Sequence, residues 1–207
     1  MTNENVLVIK DNYIKENFSS FLTNGSKNIL YPFNSNKSKE DIETLITQYS
    51  TFMPRDKVEN DENYRQLIPY VVIKNKEEKI FIVKRTNKTT EKRLHNNYSL
   101  GMGGHINDQD KGSNNFQIFK NGMYREISEE INFIGDFNPE IKGWIYSNQT
   151  PVDKVHMGLV YILNVENASI KEVENFEGGF KNIKEISKYY NKLESWSKIV
   201  YNWIKNE

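Results

Sequence analysis

Apolar residues recur along this chain with two different periods, and the changes between them mark out its elements. Val6-Leu7-Val8-Ile9 is a short continuous apolar run and predicts a strand. Residues 12–37 mix Asn, Ser and Gly with aromatics in no fixed period and predict no regular element. Over residues 39–50 the period becomes helical, with Ile42, Leu45 and Ile46 facing inward and Ser38 as the cap. Residues 54–65 are polar and charged and read as a connection. Residues 68–74 and 79–85 predict two strands around Asn75-Lys76-Glu77-Glu78, and residues 97–106 bring the chain to Gly103-Gly104, with 99–106 an apolar run dense in glycine. Phe116, Phe119, Met123, Ile127 and Ile131 then fall at three- and four-residue steps, the stripe of a helix that faces a core. Residues 142–147 and 155–165 predict two strands joined through Thr150-Pro151. In the tail, residues 183–190 read as a short helix, and Leu193, Trp196, Ile199, Val200, Trp203 and Ile204 form an amphipathic stripe.

Strands, one helix, further strands and closing helices argue for an α/β sandwich with a mixed sheet. A chain of 207 residues can bury one good core with a small appended lobe. Lys and Arg number 28 and so do Asp and Glu, so no net field draws the chain to nucleic acid or to a membrane surface. Cysteine is absent, which excludes disulfides, thiolate metal sites and thiol nucleophiles and suits a cytoplasmic protein. The opening Met-Thr-Asn-Glu-Asn lacks the basic and apolar regions of a signal peptide, and no segment reaches the roughly 20 apolar residues of a membrane span.

The chemistry concentrates in Arg125-Glu126-Ile127-Ser128-Glu129-Glu130. On a helix, Glu126, Glu129 and Glu130 stand at i, i+3 and i+4 and share a face. Like charges at that spacing repel, and a hard divalent cation with a preference for oxygen ligands relieves them. Such an ion binds phosphate oxygens and activates water. Upstream, Gly101-Met102-Gly103-Gly104-His105 places glycines inside a strand pattern, a sign of close backbone approach to a ligand or to another backbone. A solvated surface face is the bland alternative for the glutamates, but the apolar stripe behind them favours a site.

Gly103-Gly104, followed by Arg-Glu-Ile-Ser-Glu-Glu-Ile-Asn-Phe at 125–133, resembles the Nudix box, G-x5-E-x7-R-E-U-x-E-E-x-G-U with U a bulky aliphatic residue. The second half matches. In the first half the family glutamate falls at Gln117, and the loop from Asn107 to Asn115 reads as an insertion. Asn132 stands at the family glycine, a helix end where Asn is the next best residue for a left-handed conformation, and Phe133 keeps the final apolar contact. Residues about 66–190 are similar to a whole Nudix domain of the bacterial and phage phosphoesterase subgroup.

The resemblance implies a Nudix-like α/β/α sandwich over 61–207, with 1–60 as an N-terminal extension of a short strand and helix. It implies metal ligation by Glu126, Glu129, Glu130 and the Gly103 carbonyl, with Mg2+ as the ion and Mn2+ as the alternative. Arg125 would orient the glutamates by charge-assisted hydrogen bonds. With Glu129, Glu130 and Arg125 as the catalytic set, a carboxylate would deprotonate water for attack at phosphorus in a nucleoside diphosphate derivative. Glu174 and Glu177 are candidates for the late-loop glutamate of several family members. A homodimer is the assembly the superfamily suggests.

Arg85, Arg93 and His105 are candidate substrate contacts, with a surface salt bridge to Glu91 as the other reading of the arginines and a structural imidazole that of His105. His156 carries no expected role, and Trp144 reads as core beside Tyr146, while either ring could stack a base. Two other classes compete: a binding module that kept the fold without turnover, and an isopentenyl diphosphate isomerase, which the absence of cysteine disfavours.

Overall fold

Burial follows the apolar pattern in the computed structural model, which describes residues 4–22, 29–33, 36–85, 97–171, 174 and 176–206. The helical stripe Phe116, Phe119, Met123, Ile127 and Ile131 is buried throughout, as are Val6, Leu7, Val8 and Ile9. The architecture is mixed α/β with a mixed sheet. One compact unit comprises Met1–Pro69, Gly103–Arg125 and Ile141–Val160; another comprises Tyr70–Met102, Glu126–Glu140 and Tyr161–Glu207.

In the first unit, β1 (Asn5–Lys10) runs antiparallel to β3 (Ser50–Pro54), with Val6 opposite Met53. It also pairs with the start of β4 (Tyr64–Asn75), where Val8 lies opposite Gln66. Residues 12–37 are more regular than their composition predicts. They contain α1 (Asp11–Asn17), α2 (Ser19–Leu22) and β2 (Ile29–Pro32). The reason is tertiary. Asp11 anchors α1 through buried partners, and β2 pairs with β8 (Glu140–Tyr146) so that Tyr31 stacks on Trp144 at 4.5 Å. The helix α3 (Asn36–Tyr49) starts before Ser38, which lies inside it rather than capping it, and the polar connection holds the single turn α4 (Arg55–Val58). The main helix, α5 (Asn115–Glu130), is started by Asn114, whose side chain accepts the Gln117 N–H at 2.9 Å.

In the other unit, β4 continues from Tyr70 and pairs with β5 (Ile80–Arg85). The connection is a tight turn in which the Asn75 side chain accepts the N–H groups of Glu77 and Lys79, and Glu78 takes a positive φ of 58°. On β5 lie β6 (Tyr98–Ser99) and β11 (Phe176–Lys181), both antiparallel. After α5 the chain enters β7 (Ile131–Ile134) directly, and β7 pairs with β10 (Asn167–Ile170). Asn132 is therefore extended, not left-handed: its place opposite Ser169 in that ladder holds it so, and among the described residues Glu78 is the non-glycine with positive φ.

The strand β9 (His156–Val165) is buried along nearly its whole length, as its apolar run predicts. The tail forms α6 (Ile183–Ser187), closed by a reciprocal Asn182–Glu185 capping box, and α7 (Ser195–Asn206). Ser197 of α7 is fully buried and bonded to the Tyr70 hydroxyl at 2.8 Å and to the Leu100 N–H at 3.0 Å. Gly101 lies against the Tyr70 ring, where a Cβ would come within 2.2 Å of ring carbon, so the backbone before Met102 is pinned. Among the described residues, no helix is long and apolar enough to cross a membrane.

Candidate active site

The end of α5 presents Glu126, Glu129 and Glu130 at the predicted helical spacing, with Glu126 and Glu130 half-buried and Glu129 exposed. Ile127 is fully buried, so the glutamates have a packed helix behind them. Two electrostatic effects oppose this arrangement. Like charges at i, i+3 and i+4 repel, and carboxylates near a helix C-terminus meet the negative end of its dipole. Lys171 offsets part of the second effect: its ammonium donates to the Ser128 carbonyl, and its backbone N–H donates to the Glu130 carbonyl at 2.8 Å.

One residue earlier on α5, Arg125 makes a two-pronged ion pair. Its Nε donates to Asp110 Oδ1 at 2.7 Å, and its Nη2 donates to Asp110 Oδ2 at 3.0 Å and to the His105 carbonyl at 3.1 Å. The Asp110 side chain is 4% exposed and the Arg125 side chain 30% exposed. The sequence reading placed the box glutamate at Gln117 by counting back from Arg125 and missed Asp110. The available signal was the count from the other end: Asp110 stands six residues after Gly104, where G-x5-E puts the box acid, and the extra residues fall between it and Arg125.

Gly103 has φ 147°, and a Cβ there would fall 1.8 Å from the Pro69 carbonyl oxygen. The close approach read from the glycine-rich strand is thus an approach to the backbone of β4. His105 follows and turns its Nε2 to the Nε2 of His156, 3.4 Å away. His156 Nδ1 lies 2.7 Å from the Val152 carbonyl, so that nitrogen carries the proton and its Nε2 is bare. The contact is then closed by the proton on His105 Nε2. Burial, with the Arg55 guanidinium and the neighbouring His156 adding to it, pushes the His105 imidazole down to about 3, and burial also lowers His156. Both rings are neutral near pH 7.

The other candidates are spread more widely. Arg85 ends β5, and Arg93 lies outside the described residues, as does Glu91. Glu177 is exposed on β11 and pairs with Lys84 at 3.2 Å, while Glu174 is exposed in the preceding turn. Trp144 is core, 2% exposed. Tyr146 donates its hydroxyl to Asp11 at 2.7 Å and carries the Arg65 guanidinium over its ring at 4.3 Å, so its face is taken by a cation.

The glutamate set suits a hard divalent cation in donor chemistry and in helical spacing. Among the described residues no three His, Asp or Glu side chains converge on one point closely enough to hold an ion. The fit is thus one of ligand type and placement on α5.

Comparison with known proteins agrees with the motif. No protein-family model matches the chain. It is 34% identical over 160 residues to Protein YmaB of Bacillus subtilis strain 168, covering 74% of this chain and 77% of that protein. The crystal structure of Tm1382, a protein assigned to the Nudix hydrolases, superposes with a TM-score of 0.81 at 32% identity, covering 98% of this chain and 99% of the other.

Proposed function

The chain belongs to the Nudix hydrolase family, whose members act on pyrophosphate bonds, and from that premise we propose how its own residues carry out the reaction. The substrate is a nucleoside diphosphate joined to a further moiety. Glu126, Glu129 and Glu130, with the Gly103 carbonyl, hold Mg2+ or Mn2+. The bound ion supplies positive charge for the phosphoryl oxygens. Glu129 or Glu130 takes a proton from water as that water attacks phosphorus. The new P–O bond forms as the anhydride P–O bond breaks, and the leaving phosphate carries away the electron pair. Arg125 keeps the glutamate turn of α5 in place, and Arg85, Arg93 and the neutral His105 contact the substrate. Glu174, in the turn before β11, or Glu177, on β11 itself, assists, a homodimer is the working assembly, and residues 1–60 serve as an extension to the 61–207 domain.

One observation carries this reading: a packed helix retains three mutually repelling carboxylates at its unfavourable end. The test is release of phosphate, with a phosphatase coupling step, from ADP-ribose, dinucleoside polyphosphates, NADH, nucleotide sugars and oxidised dNTPs. Turnover that requires Mg2+ or Mn2+ and stops with chelator supports the reading. Metal-independent turnover, or none on any compound, contradicts it.

A further inference from the structure

Building on that hydrolase reading, we propose that His105 Nδ1 accepts a hydrogen bond from a ribose hydroxyl of the nucleoside, and that His156 is the positioning residue that holds the ring for it. The His105 backbone is fixed on both sides. Its carbonyl accepts Arg125 Nη2 at 3.1 Å, and the next carbonyl, of Ile106, accepts the Leu7 N–H at 2.8 Å. The ring is fixed by His156, Nε2 to Nε2 at 3.4 Å. His156, which is 7% exposed, is fixed in turn. Its Nδ1 donates to the Val152 carbonyl at 2.7 Å, in a turn that Thr150 and Asp153 close with reciprocal bonds of 3.2 and 3.1 Å.

The consequence is a pair of opposite tautomers. A proton on His156 Nδ1 leaves its Nε2 to accept, so the one proton of His105 sits on Nε2. His105 Nδ1 is then a bare acceptor, and no described residue donates to it. His105 and the two glycines before it are half-buried, so this stretch of chain reaches solvent. Gly103, whose carbonyl is assigned to the metal, stands two residues away. The chemistry of the acceptor selects its partner. A diphosphate bridge has no proton to donate at pH 7, so the arginines, which only donate, suit the phosphates and a bare imidazole nitrogen does not. Counted outward from the phosphates of a nucleoside diphosphate, the first donor is a ribose hydroxyl. A site built to bond a substrate hydroxyl discriminates against the analogue that lacks it.

The experiment has two readouts. The first is 15N NMR of the imidazoles in the wild type, with no substrate present. It is expected to show His105 protonated at Nε2 and His156 protonated at Nδ1; the same tautomer in both rings overturns the inference. The second is kcat and KM on whichever nucleoside diphosphate compound of the panel turns over best, and on its 2′-deoxy and 3′-deoxy analogues, for wild type, His105→Phe, His156→Phe and the double variant. Wild type is expected to lose about fivefold in kcat/KM on one of the deoxy analogues, mostly through KM. His105→Phe should lose the same factor on the hydroxylated compound and nothing more on that analogue. His156→Phe should move in the same direction by less, and add nothing to His105→Phe. If the variants do not fold, the tautomers and the wild-type preference still decide. Turnover with equal efficiency on all three compounds, or a His105→Phe loss equal on all three, overturns the inference while the hydrolase reading stands. No turnover on any compound overturns the hydrolase reading and the hydroxyl contact with it, whatever tautomers the rings show.

Discussion

Two arginine–aspartate pairs in the first unit show what an ion pair can be for. Arg65 and Asp11 are both buried, at 3% and 7% side-chain exposure. Every direction around Arg65 ends on the chain's own acceptors: Asp11, the carbonyls of Ser147 and Asp153, and the Asn148 side chain, with the Tyr146 ring against its face. For Asp11, burial would raise the carboxyl, but hydrogen bonds from Lys15, Tyr146 and Arg65 outweigh it and hold it below the ordinary carboxylate range. Arg125 and Asp110 share the charge-assisted bond but not the surroundings. Asp110 is buried, Arg125 is 30% exposed, and the next residue on the helix is the first of three glutamates. One pair closes a network that ties together α1, β4 and the 147–153 turn; the other directly precedes the glutamates of the proposed site.

The comparison breaks in a defined order under substitution. The largest effect is expected from Asp11→Ala, which leaves the Arg65 charge buried without its partner. It should cost about 3–5 kcal/mol in urea unfolding, with kcat per folded molecule unchanged. Next is Arg125→Gln, expected to lose about 10- to 100-fold in kcat/KM while the unfolding midpoint moves much less than in Asp11→Ala. A smaller effect is expected from Gly122→Ala. Alanine should favour the helix by about 1 kcal/mol, but its Cβ would stand 2.6 Å from Asp110 Oδ2, and such overpacking costs about 1–3 kcal/mol, so the variant should unfold earlier than wild type. The Asp110→Ala/Gly122→Ala double variant should recover that loss, because the crowding atom is gone.

The smallest expected effect is on pH. The folded imidazoles of His105 and His156 resist protonation, whereas the unfolded chain takes protons near 6.5. Unfolding thus binds protons below pH 6.5, and stability should fall as pH drops from about 6.5 towards 3. His105→Gln should flatten that slope in thermal melts.

The α5 stripe and the glutamate spacing were legible because both are local and periodic, and they sit where the pattern puts them. So were β1, β5, β8 and β9, whose apolar runs are long enough to stand out. What escaped depends on partners distant in sequence. The resemblance puts Glu177 in a late loop, yet Phe-Glu-Gly-Gly-Phe-Lys forms β11 and pairs with β5, and Gly178 fits under Ile170, where a Cβ would lie 2.9 Å from its side chain. The helix α1 has two buried residues, Asp11 and Ile14, too few to set a period. Asn132 had the composition of a helix stop, and the β10 ladder overrode it. Asp110 is the instructive case in the site. Counted from Gly104 the box acid falls at Asp110, but the extra residues before Arg125 moved the count from the arginine to Gln117, and the fold shows which of the two holds the guanidinium.

The central claim is that the carboxylates at the end of α5 are kept for chemistry and against stability. The most direct test is one substitution, Glu129→Gln, followed by Mg2+-dependent phosphate release with thermal unfolding of the same sample. The expected result is a loss of turnover of about 100-fold or more, on the order of 3 kcal/mol in the barrier. Unfolding should be unchanged or slightly later, since removing one like charge from the helix face is worth about 0.2–0.5 kcal/mol. Full turnover in Glu129→Gln, or a large drop in stability that accounts for lost activity, would contradict the account.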